Sequence, residues 1–249
     1  MYWCLGMQAS ASTWIYNAAL KIAAILNSDV PTRGRYVPYR SKLGFLDDPG
    51  LHMVKSHGVD GPTEAELGRR ATSIIISVRD PRDAVASLML YHKENFKQAL
   101  RDVERAAATC TRFAGDPRAI VLRYESRFTE DPATIDRIAG SIGRELPRHD
   151  RDRIFEESRR ENVEKLISNL EQLPGARRAG EDLFDLDTQW HKLHAGRTGE
   201  VGKWRRTLSE GQIARIEARL HDRMANLDYK PTRPPGLIAR LMKFTHRTA

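Results

Sequence analysis

Apolar positions along the chain fall into two alternating kinds of run. Residues 2–5, 51–56, 73–78 and 119–124 are short apolar stretches rich in β-branched and aromatic residues, the pattern of strands. The third reads Ser-Ile-Ile-Ile-Ser-Val; it has no polar face, which predicts a strand buried on both sides. Between these runs, apolar residues recur three and four apart. Trp14, Ala18, Ile22 and Ile25 form one such stripe, and helical patterns fill residues 83–91, 95–112, 132–142, 150–170 and 209–227. Strands alternating with helices predict an α/β fold, a three-layer sandwich around a mostly parallel central sheet. Ser10 or Ser12 is the expected N-cap of the first helix. Asp80 caps the helix from residue 83, with Pro81 at its first position. Residues 175–202 are rich in Gly, Arg and polar types without periodicity, which predicts a surface loop or lid.

Composition narrows the picture. The 249 residues suit one domain over 1–230, followed by a short basic amphipathic tail over 231–249. That tail packs on the domain, frays into solvent or touches anionic lipid. With 41 Lys and Arg against 33 Asp and Glu, the net charge is +8, which points to an anionic partner. Nucleic acid is disfavoured, because the basic residues are scattered and show no recognition-helix or aromatic-basic pattern. Cys4 and Cys110 are the two cysteines, too few for a disulfide framework and without zinc spacing. Nothing at the start resembles a signal peptide, and no run of about 18 apolar residues appears. A cytoplasmic protein is therefore expected. His191 and His194 lie three apart with no third ligand nearby, so no metal is expected.

Two segments carry candidate chemistry. Gly6-Met7-Gln8-Ala9-Ser10-Ala11-Ser12-Thr13 links a strand to a helix start through small residues, the geometry in which backbone N–H groups meet a phosphate. Laid on the Walker pattern, it has Ala11 for the second glycine and Ser12 for the lysine, which argues against a kinase or ATPase. Arg79 stands at the end of the buried strand and Ser87 eight residues on. An Arg at a strand end and a helix hydroxyl can grip a second phosphate, although an isolated Arg more often pairs with an acid such as Asp80 or Asp83.

Arg79-Asp80-Pro81-Arg82-Asp83 with Ser87 resembles the 3′-phosphate motif of sulfotransferases, R-N/D-P-R/K-D-x-x-x-S, at every fixed position. Those enzymes use 3′-phosphoadenosine 5′-phosphosulfate (PAPS) as donor and release the bisphosphate PAP. Residues 6–14 are similar to the family's 5′-phosphosulfate loop, matching at Ser10, Ser12, Thr13 and Trp14. The resemblance implies that residues 8–14 (Gln8, Ala9, Ser10, Ala11, Ser12, Thr13 and Trp14) line the donor, with Ser12 and Thr13 on the 5′ phosphate and Trp14 on the adenine. Lys55-Ser56-His57 is similar to the family's K-T/S-H element, which implies His57 as general base and Lys55 beside the donor sulfate. Tyr124 falls on the family's adenine-facing tyrosine. Arg197, Thr198 and Gly199 fall on the stretch that caps the 3′ phosphate. No metal is implied. A small-molecule or carbohydrate acceptor is expected, its pocket built by the loops of residues 33–49, 58–67 and 172–196.

The chain departs from the pattern at three places. Gln8 replaces Pro, Ala11 replaces Gly, and Ala9 stands where the family has Lys or Arg. That cation stabilises the leaving bridging oxygen, so Lys55, or secondly Lys203, is expected to compensate. The expected reaction is in-line sulfuryl transfer to a hydroxyl or amine. The alternatives are a PAP- or PAPS-binding homologue impaired in turnover and, further off, a P-loop small-molecule kinase needing ATP and magnesium.

Overall fold

The computed structural model describes residues 1–179, 182–194 and 199–232. Five parallel strands, β1 (Tyr2–Gly6), β2 (Thr32–Val37), β3 (Leu51–Ser56), β4 (Ser73–Val78) and β5 (Ala119–Arg123), form the central sheet in the order β2-β3-β1-β4-β5. The chain thus leaves β1 for one edge, returns, and then builds the other side. Such a switch leaves a crevice at the carboxyl ends of the strands, where ligands bind in open α/β sheets.

Side-chain alternation along each strand feeds two cores. Cys4, Met53, Ile75 and Leu122 point to a layer holding α1 (Ser12–Leu26), with Ile135 and Ile138 of α5 (Ala133–Ser141) and Ile154 of α6 (Arg148–Glu157). Trp3, Leu5, Val54, Ile74 and Ile76 point the other way. There they meet Leu67 of α2 (Gly61–Arg70), Val85 of α3 (Pro81–Tyr91), and Leu100 and Val103 of α4 (Phe96–Phe113). Ile216 and Leu220 of α9 (Glu210–Asn226) complete that layer. The fold is the expected three-layer α/β sandwich.

Several elements differ from the sequence reading. Residues 33–49 contain the edge strand β2, whose Gly34 and two exposed arginines mask a strand pattern. Residues 58–67 contain most of α2, capped by Asp60, whose side chain accepts from the Thr63 N–H. The single helix expected over 150–170 is two, α6 and α7 (Arg160–Ser168). The break frees the Ser158 carbonyl to accept from Trp14 Nε1 at 2.8 Å. Part of 175–202 is an antiparallel hairpin, β6 (Ala176–Ala179) with β7 (Asp182–Asp185). The first helix is capped by neither serine. Ala11 is the N-cap, in the left-handed region and without a side-chain cap bond.

Candidate active site

The turn after β1 is built tightly. A Cβ on Gly6 would come within 2.4 Å of Ser12 Cβ and 2.5 Å of Ser77 Oγ, so only glycine fits. Ser10 is fully buried and its hydroxyl faces inward, 2.6 Å from Met7 O and 2.7 Å from Ser77 Oγ. Ala9 and Ala11 take φ of 57° and 62°, a conformation costly for residues with a Cβ. Ala11 provides no side-chain cap to the first N–H groups of α1. Gln8 Oε1 is buried without a partner. Ser12, Thr13 and Trp14 open the helix and are all buried, and Trp14 packs edge-on against Phe128.

Lys55 and His57 reach this turn from β3. The Lys55 ammonium is 3% exposed and donates to Thr13 Oγ1 at 2.8 Å. Burial pushes its pKa down to about 7. Lys55 thus places an ammonium beside the turn that Ala9 leaves without a charged side chain. Lys203 does not fill that role: its ammonium lies 4.8 Å over the Tyr91 ring, at the far end of α3. His57 Nδ1 lies 2.7 Å from Gly6 O. A carbonyl only accepts, so Nδ1 carries the proton and Nε2 holds the lone pair. Burial first, then the Lys55 charge, push the His57 pKa down to about 4. The imidazole is neutral near pH 7 and able to accept a proton.

β4 delivers Arg79, 2% exposed. Its guanidinium donates to Ala9 O at 2.9 Å and to Glu200 O at 2.6 Å, and lies 4.1 Å over the Tyr124 ring. Asp83 is a looser neighbour at 3.7 Å, and Arg79 Nε is buried without a partner. Gly199, at φ 66°, packs so close that a Cβ there would lie 2.9 Å from Tyr124 Oη. Ser87 is buried on α3, one turn beyond Asp83. Arg79, Tyr124, Gly199 and the Ala9 carbonyl thus converge at one end of the sheet. Arg197 and Thr198, assigned to the same cap, lie outside the described residues, as do residues 233–249 of the tail.

The rest of the motif after β4 holds the frame. Asp80 caps α3 through the Arg82 N–H, and Arg82 pairs with both Asp80 and Glu217 at 2.7 Å. The Asp83 carboxylate accepts the N–H of Gly202 at 2.6 Å and of Trp204 at 3.0 Å. The segment after β7 is moored to α1. Tyr16 Oη donates to Asp187 O, and Asn17 Nδ2 bridges Thr13 O and Thr188 O. His191 is half-buried and paired with Asp182 at 3.0 Å. Sequence reasoning missed Tyr36, whose ring lies 6.1 Å from His57 and 5.7 Å from Lys55 Nζ. The signal was the Arg33-Gly34-Arg35-Tyr36-Val37 alternation, read as loop. Among the described residues, no group of three or more His, Cys, Asp or Glu is placed to hold a metal ion. Nor is any helix there long and apolar enough to cross a membrane.

The architecture defines an α/β protein with a P-loop-like fold. The chain belongs to the sulfotransferase domain family, whose model matches residues 14–228, and this supports sulfuryl transfer in general terms. Its fold is similar to that of mouse sulfotransferase SULT7A1 complexed with PAP. The TM-score is 0.61 at 14% identity, over 98% of this chain and 88% of that one. It is also similar to retinol dehydratase solved with androsterone and the inactive cofactor PAP (TM-score 0.57, 17% identity, 94% of this chain and 82% of that one). The same holds for retinol dehydratase with retinol and PAP (TM-score 0.56, 18% identity, 94% and 83%). No curated protein matches the sequence.

Proposed function

We propose that this chain transfers the sulfuryl group of PAPS to a hydroxyl or amine of a small-molecule or carbohydrate acceptor. The observation that carries the reading is the convergence on Arg79: a buried guanidinium with an unpartnered Nε, stacked on Tyr124, beside an uncapped helix start. These residues fit a nucleotide with two separated phosphates. PAP, which occupies the solved structures sharing this fold, is such a nucleotide. When bound, PAPS supplies the sulfuryl group from its 5′ end.

The chain's own residues divide the work. N–H groups of the first turn of α1, with Ser12 and Thr13, hold the 5′ phosphate; residues 8–11 shape the turn. Arg79 and Ser87 hold the 3′ phosphate, with the backbone at Gly199 and, outside the described residues, Arg197 and Thr198. Trp14 and Tyr124 border the adenine. His57 Nε2 takes the acceptor's proton. Lys55 places positive charge where the leaving oxygen develops negative charge, the role Ala9 cannot fill. In the same reading, residues 1–230 form one catalytic domain, 231–249 a basic appendage, and the protein works in the cytoplasm.

Calorimetry with 3′,5′-adenosine bisphosphate tests the site, with ATP and magnesium as the control. Tight binding of the bisphosphate and silence from ATP are expected; ATP binding in its place overturns the reading in favour of a kinase. His57→Ala is expected to lower transfer about 10²–10⁴-fold with bisphosphate affinity unchanged. Tight binding without transfer in the wild type points to the second reading, a binding homologue impaired at Ala9. The pH profile of kcat/KM is expected to fall below about 4, where His57 protonates, and above about 7, where Lys55 loses its charge.

A further inference from the structure

Lys55 is a buried cation in an uncharged row of the sheet. Its register partners are Tyr36 of β2 on one side and Cys4 of β1 on the other, with Ile75 of β4 beyond. Among the described residues no carboxylate pairs with it. Its surroundings are the Thr13 hydroxyl from α1, the Cys4 thiol, the His57 imidazole and the Tyr36 ring. An ammonium so placed is expensive to keep charged. Besides the Cys4 sulfur, which raises the Lys55 pKa, the Tyr36 ring is placed to favour the cation without hydrogen-bonding it. Nζ lies 5.7 Å from the ring centroid, within cation–π range. The same ring meets His57 edge-on at 6.1 Å and 61°. Tyr36 is therefore the side chain in contact with both groups assigned to the transfer step. Burial first, then the Asp102 charge, raise the pKa of its hydroxyl, with the Arg105 charge opposing.

We infer that Tyr36 is a positioning residue for transfer, its π face keeping Lys55 charged and aimed at the turn after β1 while its edge fixes the tilt of His57. The inference rests on the reading of Lys55 as the cation of the transfer step. It also supplies a reason why Ala9 is tolerated. With no loop cation, the site depends on an ammonium inside the sheet, and the neighbouring strand contributes an aromatic face to keep it protonated.

The test titrates Lys55 directly, by carbon-13 NMR of its ε-carbon in the ligand-free protein, in wild type, Tyr36→Phe and Tyr36→Leu. Tyr36→Met, which fills similar space without a π face, serves if the leucine variant fails to fold. Loss of the ring is expected to lower the Lys55 midpoint by about one pH unit, a tenfold change in its ionisation constant (about 1.4 kcal/mol). The alkaline limb of kcat/KM should move down by the same amount, and Tyr36→Phe should restore both. A folded leucine or methionine variant with an unmoved midpoint and limb overturns the inference while leaving the donor site intact. Lys55→Met with undiminished transfer overturns the reading beneath it.

Discussion

The turn after β1 and the turn after β4 both carry a central strand into a helix start, yet they use their side chains in opposite ways. After β4, nearly every motif residue is engaged with protein. Asp80 caps its helix, Arg82 clamps Asp80 and Glu217, and Asp83 holds the backbone of Gly202 and Trp204. Arg79 is engaged as well, with Ala9 O and Glu200 O, but keeps a buried Nε without a partner. After β1, the cap residue has no polar side chain, Ser10 points inward, and two alanines sit in the left-handed region. The charge there is brought from other strands, by Lys55 at Thr13 Oγ1 and by Arg79 at Ala9 O. A perfect motif match therefore reports scaffolding more than chemistry, and a motif that has lost its cation can still stand beside one.

The comparison is broken most severely at Arg79. Arg79→Ala removes the donor shared by Ala9 O and Glu200 O. It should weaken 3′,5′-adenosine bisphosphate binding about 100-fold, roughly 3 kcal/mol, measured by calorimetry. An unchanged Kd would make the turn after β4 scaffolding throughout.

Lys55→Met probes the other turn and should separate activity from stability. Transfer should fall about 10²–10³-fold, while thermal stability at pH 6 should rise. The sign follows from linkage: the folded state holds Lys55 at about 7, against an ordinary value of 10.5. The unfolded chain therefore binds the extra proton between those values. The penalty is full below pH 7 and fades as pH rises toward 10.5, so the gain in Tm should shrink at pH 9.

The smallest effect is expected from Ala11→Gly. Relief of the left-handed strain, about 1–2 kcal/mol, outweighs the entropy glycine adds to the unfolded chain, about 0.5–1 kcal/mol. Tm should rise by about 1–3 °C. A fall would mean that the Ala11 methyl is itself packed usefully.

Much of this was legible in the chain. Strands buried on both faces announce themselves as continuous apolar runs, so β1, β3 and β4 were readable, and the half-buried edge strand β5 was readable from its Ala-Ile-Val-Leu run. The edge strand β2 was not, because it alternates arginines with small and aromatic residues. That one omission hid Tyr36, since pairing across strands cannot be read from either strand separately. The helix break at Ser158 was also hidden: periodicity runs through it, and the carbonyl it frees is taken up by a tryptophan 144 residues away. Arg79, His57 and Lys55 were found through their motifs. Their working states depend on Gly6 O, Ala9 O and Thr13 Oγ1, contacts made only by folding.

The strand order has a meaning for how the chain comes to be folded at all. β1 lies at the centre of the sheet, yet Tyr2 pairs with Met53 on one side and Ser73 on the other. The central strand is therefore synthesised well before either neighbour exists. Parallel pairing of distant segments is intrinsically slow and leaves apolar strands exposed while it waits. Trp3, Cys4 and Leu5 are wholly buried at the end of that wait and uncovered during it. During synthesis, the stretch most in need of shielding is thus the strand that later carries the phosphate turn.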